Sequence, residues 1–180
     1  MRKATLCVLA ALAAFAAARA HAQSAAPTTS VEVMNGAVQE AIKRALADLK
    51  PGVSVSDHLV GIQDNVKYNV AVAVVARPAG TFTSSLSHDK ITEIYYVLKG
   101  SGVQVTGTMV DGTPSAAVSK TVGPGMTSNS PIRNAKSRKL GPGDIQIVPA
   151  GVAHGFTSID PGGIEYLVFR VDPDHVLAMQ

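Results

Sequence analysis

The chain has 180 residues, of which 46% are apolar and 16% are charged, and it contains one Cys and no Trp. This length fits a single domain, and the apolar fraction excludes an intrinsically disordered protein. The 16 Gly and 10 Pro residues predict many turns, which favours short strands over a helical bundle.

The N-terminal segment has the pattern of a secretory signal peptide. Arg2 and Lys3 precede an apolar run over residues 6–18, and an A-x-A pattern of small residues then closes on Ala22. We therefore expect residues 1–22 to be a signal peptide that is cleaved after Ala22, and the protein to be secreted or periplasmic. The apolar run is shorter than the roughly 20 residues that a membrane span needs, so we expect no membrane association after cleavage.

The expected mature chain has a different charge from the precursor. Its 158 residues carry 13 basic and 13 acidic side chains and no cysteine. A formal net charge of zero gives no reason to expect nucleic acid as a partner. The absence of cysteine excludes disulfides, thiolate metal ligands and a cysteine nucleophile from this part of the chain. A metal site would have to be built from His and carboxylate ligands.

Residues 23–30 are small and polar, which is typical of a flexible leader. Residues 31–52 then have apolar side chains at helical spacing and end at Pro51-Gly52, which predicts one amphipathic helix. Its apolar positions are Met34, Val38, Ala41, Ala45 and Leu49. Such a short helix is expected to cover one end of a sheet.

From residue 53 to residue 175 the pattern changes to short strands, which predicts a single all-β domain, either a sandwich or a barrel. The glycine-rich residues 99–102 predict a tight hairpin turn, and most of residues 111–142 predict a long loop. The predicted strands are 53–62, 68–75, 91–98, 103–110, 116–121, 145–149, 156–159 and 164–171. The predicted loop carries a basic cluster of Arg133, Lys136, Arg138 and Lys139.

Two His and one Glu lie next to turns in this β-rich region. His88 and Glu93 can converge only if the chain turns between them, because side chains on a strand alternate between its faces. Glu93 is expected to share an interior face with Val97, where an unpaired carboxylate is costly, so a bound cation or a positive partner is expected beside it. His154 follows a Pro-x-Gly turn. A lone His is usually structural, but these three residue types together indicate a metal site.

The spacing of these residues resembles the two sequence motifs of the cupins. The first motif is matched at Gly80, Leu86, His88, Glu93 and Gly100. The second motif is matched at Gly143, Pro149, Gly151, His154 and Ser158. Two departures are visible: Leu86 stands where the family usually has its first metal-binding histidine, and Ser158 stands where an asparagine is common.

The resemblance implies a double-stranded β-helix, a small jelly-roll barrel, with one N-terminal amphipathic helix. It implies one divalent transition metal (Fe, Mn, Ni, Zn or Cu) held by His88, Glu93 and His154, with Asp89 or His58 as candidate fourth ligands. The expected activity is oxygenase, isomerase or lyase chemistry on a small organic molecule. The alternative is a non-catalytic barrel that binds a sugar or another small ligand, with or without a metal.

Three further residues are candidates for substrate binding. Tyr95 is expected on the same face as Glu93, Gln104 on a neighbouring strand, and Arg170 in the closing strand, where it would meet a substrate carboxylate or form a surface ion pair. A homodimer formed through a sheet edge is expected from the resemblance.

Overall fold

The computed structural model describes residues 29–115 and 122–177, which form one helix and ten strands. No helix in these ranges is long and apolar enough to cross a membrane. The elements are α1 (Asn35–Asp48), β1 (Ser56–Gln63), β2 (Asn69–Arg77), β3 (Gly80–Thr81), β4 (Ser85–His88), β5 (Thr92–Thr108), β6 (Thr113–Pro114), β7 (Gly125–Ser128), β8 (Arg133–Leu140), β9 (Ile145–Val148) and β10 (Ala153–Asp172). The predicted signal peptide (1–22) and most of the predicted leader (23–30) lie outside the described residues.

The strands are antiparallel and are organised around β10 and β5. The second half of β10 pairs with β2 and with the first half of β5, whereas its first half pairs with β3, β4 and the second half of β5. The main path runs β1-β2-β10-β4-β7-β6, and among the described strands β8 and β9 each pair with β5 alone. The all-β jelly-roll prediction is confirmed.

The predicted hairpin between residues 91–98 and 103–110 is wrong, because β5 continues through the glycine-rich segment without reversing. Gly100, with φ +74°, lies so close to β10 that a Cβ there would be 1.9 Å from the carbonyl oxygen of Gly163. The glycines therefore permit a close approach of two backbones at a bend. Because β5 and β10 pair on both sides of it, each strand contributes to both halves of the barrel.

The predicted long loop over residues 111–142 is also wrong, since it contains β6, β7 and β8. β8 is exposed along its whole length except at Leu140, so it carries no apolar alternation that would reveal a strand. It pairs in register with the second half of β5. The basic cluster predicted for the loop lies on this strand. The predicted strand at residues 116–121 lies outside the described residues.

β2 is buried on both faces, which explains its valine-rich sequence. Its inner face contributes Ala73 and Val75 to the barrel core. Its outer face packs against α1, which begins at Asn35 and ends at Asp48, inside the predicted range of 31–52. The residues of that contact are Ala41, Ala45, Val74 and Ala76. The helix covers this side of the sheet, and the opposite side faces the cavity.

Candidate metal centre

His88, Glu93 and His154 converge inside the barrel. His88 is the last residue of β4, Glu93 lies at the start of β5, and a short turn between the two strands brings both side chains inward. His154, near the start of β10, lies opposite Leu86 in the pairing with β4. One ligand atom from each of the three side chains lies within 4.8 Å of the other two, and all three residues are at most 5% exposed.

The imidazole of His154 is oriented by the backbone. Its Nδ1 lies 2.9 Å from the carbonyl oxygen of Val152, which can only accept, so Nδ1 carries the proton. Its Nε2 faces Oε2 of Glu93 at 3.5 Å and has no hydrogen-bond partner in the described part of the chain. Nε2 of His88 lies 3.3 Å from the same oxygen. Two imidazole nitrogens are thus directed at one carboxylate oxygen in a buried site.

Glu93 also has two hydrogen-bond donors among the other interior side chains. Tyr95 donates its hydroxyl proton to Oε2 at 2.7 Å, and Arg170 donates from Nε to Oε1 at 3.0 Å. Burial would raise the pKa of Glu93, but His154, His88 and Arg170 stabilise the charged form and hold this pKa well below its usual range. Glu93 is therefore a carboxylate, and Arg170 is the positive partner that its burial requires.

Arg170 is held by two carboxylates at once. Besides Glu93, it donates from Nη1 to Oδ1 of Asp57 at 3.2 Å and from Nη2 to Oδ2 of the same residue. Burial would lower the pKa of Arg170, but Asp57 and Glu93 raise it above its ordinary value. Burial and the charge of Glu93 raise the pKa of Tyr95 well above its ordinary value, so its hydroxyl remains a donor. The expected surface ion pair of Arg170 is in fact buried.

These residues line a cavity of about 160 Å³ inside the barrel. Its polar and charged lining consists of Asp57, Arg77, His88, Glu93, Tyr95, Tyr166 and Arg170. Its apolar lining consists of Val55, Val75, Leu86, Val122 and Val168. A cavity with an apolar wall and a few convergent polar groups has the character of a small-molecule site.

The other predicted site residues lie apart from the three-residue cluster. Gln104 is almost fully buried but is not part of the cavity lining. Asp89 is exposed, and His58 binds Asp48 at the end of α1, with 2.7 Å between Nε2 and Oδ2. Leu86 is part of the cavity wall, so the position of the family's first histidine is apolar here.

Three of the polar and charged lining residues were not predicted from the sequence: Asp57, Arg77 and Tyr166. A period-two pattern could have revealed two of them, because Tyr166 alternates with Val168 on β10 and Arg77 follows Val75 on β2. Asp57 has no such signal, since it lies at the start of β1 among partly exposed residues.

The donor set fits a divalent transition metal. Two imidazole nitrogens and one carboxylate oxygen form the ligand set of metal sites that keep further positions open for water or substrate. The buried Nε2 of His154 is directed at this point and has no hydrogen-bond partner among the described residues. Leu86 has no donor atom, so these three residues are the protein ligands that the cluster offers among the described residues.

The sequence and the structure of the chain can be compared with those of known proteins. A search of curated protein sequences finds no match. Among solved structures, the Bacillus halodurans protein BH2720 is 12% identical with a TM-score of 0.51, and the match covers 82% of this chain and 86% of that one. KdgF from Halomonas sp. is 17% identical with a TM-score of 0.42, covering 71% and 86% of the two chains. The DMSP lyase DddQ from Ruegeria pomeroyi is 20% identical with a TM-score of 0.45, covering 73% and 54%.

At these identities the structural matches bear on the fold alone. The family model described as cupin matches residues 65–179, which is more than half of the sequence and includes both motifs. The chain therefore belongs to the cupin family.

Proposed function

We propose that this cupin holds one divalent metal ion through His88, Glu93 and His154 and acts on a small organic molecule in the adjoining cavity. The observation that carries the proposal is the contact between His154 and Glu93. In neutral His154 the proton is on Nδ1, so Nε2 presents a lone pair to a carboxylate oxygen 3.5 Å away. Two buried acceptors that face each other repel, and either a cation between them or a second proton on the imidazole removes this repulsion. The proposal takes the first of these two states.

The nearby residues of the chain prepare this site for an ion. The backbone carbonyl of Val152 fixes the ring orientation and tautomer of His154, as the outer partners of metal ligands do. The hydroxyl of Tyr95 and the guanidinium of Arg170 hold the Glu93 carboxylate in place and ionised. When bound, a divalent ion would supply Lewis-acid polarisation of a substrate oxygen at the positions that the three protein ligands leave open.

The ligand set and the cavity are compatible with several metals and reactions. One carboxylate and two imidazoles suit Fe, Mn, Ni, Zn or Cu. Oxygenase, isomerase and lyase chemistry all remain within the proposal, because fold and ligand set do not select among them.

The second candidate function is a metal-free barrel that binds a sugar or another small ligand. The observation that favours it is the ion pair between Arg170 and Glu93, which already compensates the buried carboxylate. In that state His154 would be an imidazolium, with its second proton on Nε2 facing Glu93. The apolar Leu86 in place of a fourth ligand favours the same alternative.

Metal content separates the two candidates. Protein purified without chelators is analysed by inductively coupled plasma mass spectrometry, together with His154→Ala and the matched control His58→Ala, whose imidazole binds Asp48 outside the cluster. We expect close to one metal per chain in the wild type and the control, and below about 0.1 in His154→Ala. A wild-type protein that contains less than about 0.1 metal per chain contradicts the metal proposal.

We further propose that the protein is exported, on the strength of the signal-peptide pattern in residues 1–22. N-terminal sequencing of the protein from its host tests this. A mature chain that starts at Gln23 supports export, and one that starts at Met1 contradicts it.

We also propose a homodimer formed through β9. Ile145 and Ile147 on this strand are 65% and 63% exposed, and β9 pairs with only one neighbour among the described strands. Exposed apolar side chains beside a free sheet edge are typical of an interface. Analytical ultracentrifugation of the wild type and Ile147→Lys should show a dimer and a monomer, respectively. A monomeric wild type contradicts this proposal.

A further inference from the structure

Arg77 is a cation in the cavity wall that has no anionic partner among the described residues. It ends β2, and its Nε donates to the hydroxyl oxygen of Tyr166 at 3.1 Å. Its guanidinium carbon lies 5.7 Å from the ring centre of Phe156. Neither contact neutralises its charge, and among residues 29–115 and 122–177 no carboxylate forms an ion pair with it.

The carboxylates of the cavity are already engaged elsewhere. Asp57 and Glu93 are the acidic residues of the lining, and both bind Arg170. The cavity therefore has one arginine with two carboxylates and one arginine with none. A divalent ion at the three-residue cluster would add further positive charge and leave Arg77 still without a partner.

Most hydrogen-bond donors of Arg77 and Tyr166 also lack an acceptor among the described residues. A guanidinium has five N–H groups, and the structure assigns only the one on Nε. Tyr166 is 2% exposed, and its hydroxyl accepts from Arg77. Its own proton has no acceptor in the part of the chain that the structure describes. The terminal nitrogens of Arg77 and the hydroxyl of Tyr166 thus form a group of donors in the cavity wall, with no acceptor from residues 29–115 or 122–177.

We propose that Arg77 and Tyr166 bind the carboxylate of a small organic acid, which is the substrate or ligand of this cavity. A carboxylate matches the planar fork of a guanidinium and compensates its charge. The rest of the ligand contacts the apolar wall formed by Val75 and Val168. The volume of about 160 Å³ limits that part to roughly the size of benzene, which fits a cavity of ~150 Å³.

This inference rests on the proposed function in taking the cavity as the substrate site, and it does not require that a metal be bound. Benzoate is a suitable probe, because it combines a carboxylate with an apolar ring of the right size. Benzamide is its neutral counterpart with the same shape. Isothermal titration calorimetry measures both affinities on the purified protein, once after chelator treatment and dialysis and once after loading with Zn²⁺.

We expect the wild type to bind benzoate at least about tenfold more tightly than benzamide in both preparations. Arg77→Met should abolish this preference, and Arg77→Lys should retain part of it, since lysine keeps the charge but loses the fork. Tyr166→Phe should reduce it less than Arg77→Met does. The matched control is Arg138→Met on the exposed strand β8, which should leave the preference unchanged.

Equal binding of the two probes by the wild type overturns the inference, and this measurement needs no variant to fold. A preference that persists in folded Arg77→Met or, if that variant does not fold, in Arg77→Lys at full strength also overturns it. Failure of the metal proposal would give a different result. The wild type would then contain no metal, but it would still bind benzoate more tightly than benzamide, and this preference would depend on Arg77.

Discussion

The two arginines of the cavity, Arg77 and Arg170, occupy similar positions and have opposite surroundings. Each lies on the inward face of a strand two residues from a valine, Val75 or Val168. Arg170 makes three hydrogen bonds to two carboxylates, whereas Arg77 makes one to a phenol. Arg170 is buried, whereas Arg77 is partly exposed. The comparison teaches that an inward-facing arginine is structural where the neighbouring strands supply carboxylates and is available to a ligand where they do not.

The largest loss of stability should come from replacing Arg170, which makes hydrogen bonds to two carboxylates. Arg170→Met leaves Glu93 and Asp57 without their shared cation in the barrel interior. Breaking a buried ion pair in this way costs about 3–5 kcal/mol of the free energy of unfolding. Arg77→Met loses one hydrogen bond to a hydroxyl and the contact with the ring of Phe156, and should cost only about 2 kcal/mol.

Urea unfolding of the chelator-treated proteins measures both values, so that a bound metal does not contribute. The isosteric change Asp57→Asn, which removes only one of the two carboxylate partners of Arg170, serves as a control. Its cost should lie between the two, because Glu93 still pairs with Arg170. If Arg77→Met destabilises the protein as much as Arg170→Met, then Arg77 is structural and the contrast between the two arginines is wrong.

The tyrosines beside the two arginines, Tyr95 and Tyr166, extend the comparison to single hydrogen bonds. The hydroxyl of Tyr95 donates to the charged Glu93, whereas the hydroxyl of Tyr166 accepts from Arg77 and has a free proton. Hydrogen bonds to charged groups contribute about 1.5–3 kcal/mol, so Tyr95→Phe should lower the free energy of unfolding by about 2 kcal/mol. Tyr166→Phe should lower it less, by about 1.5 kcal/mol, because its bond from Arg77 is longer, at 3.1 Å, and its donor is partly exposed. The same urea series measures both, and a larger loss for Tyr166→Phe would reverse the assignment of the two ends of the cavity.

Leu86 tests the metal end of the cavity directly. This side chain lines the cavity opposite His154, at the position where the family motif has a histidine. Leu86→His adds an imidazole ligand and should tighten Zn²⁺ binding at least about tenfold, which corresponds to about 1.4 kcal/mol. Competition with a fluorescent chelator measures the affinity. Leu86→Phe is the matched control, since it places a ring without nitrogen at the same position. Equal affinities of the two variants would contradict a metal site at this cluster.

The local residue pattern was sufficient to predict the three-residue cluster and the fold class. The spacing around His88 and Glu93, the Pro-x-Gly turn before His154 and the many short apolar runs each reflect backbone geometry within a few residues. The expected burial of Glu93 also predicted either a bound cation or a positive partner, because an unpaired interior carboxylate is costly. The structure supplies that partner as Arg170.

The predictions that failed depend on distant parts of the chain. Gly100 has the same local signal in a hairpin turn and in a bent strand, and only its contact with Gly163 on β10 distinguishes the two. β8 was not predicted as a strand because its side chains are exposed, while its backbone is held by pairing with β5. The free charge of Arg77 likewise depends on which carboxylates other strands bring to the cavity. None of these contacts is encoded within a short segment.

The smallest loss of stability should come from disrupting the exposed ion pair between Lys139 and Asp160, which contrasts with the buried pair between Arg170 and Glu93. Asp160 accepts from Nζ of Lys139 at 2.8 Å and from the hydroxyl of Ser101 at 2.6 Å, and these two contacts hold its pKa below the ordinary value. A carboxylate with a lowered pKa in the folded state adds stability above its unfolded pKa, and this stability is lost as the pH falls through the folded value. Asp160→Asn should therefore destabilise the protein at pH 7, by less than Arg77→Met does, and this difference should shrink as the pH falls through the folded pKa of Asp160. In 1 M salt, where screening acts within about 3 Å, the effect at pH 7 should shrink, while the cost of Arg170→Met should persist because that pair is buried. If the cost of Arg170→Met fell equally with salt, its ion pair would be open to solvent and the contrast with Arg77 would lose its basis.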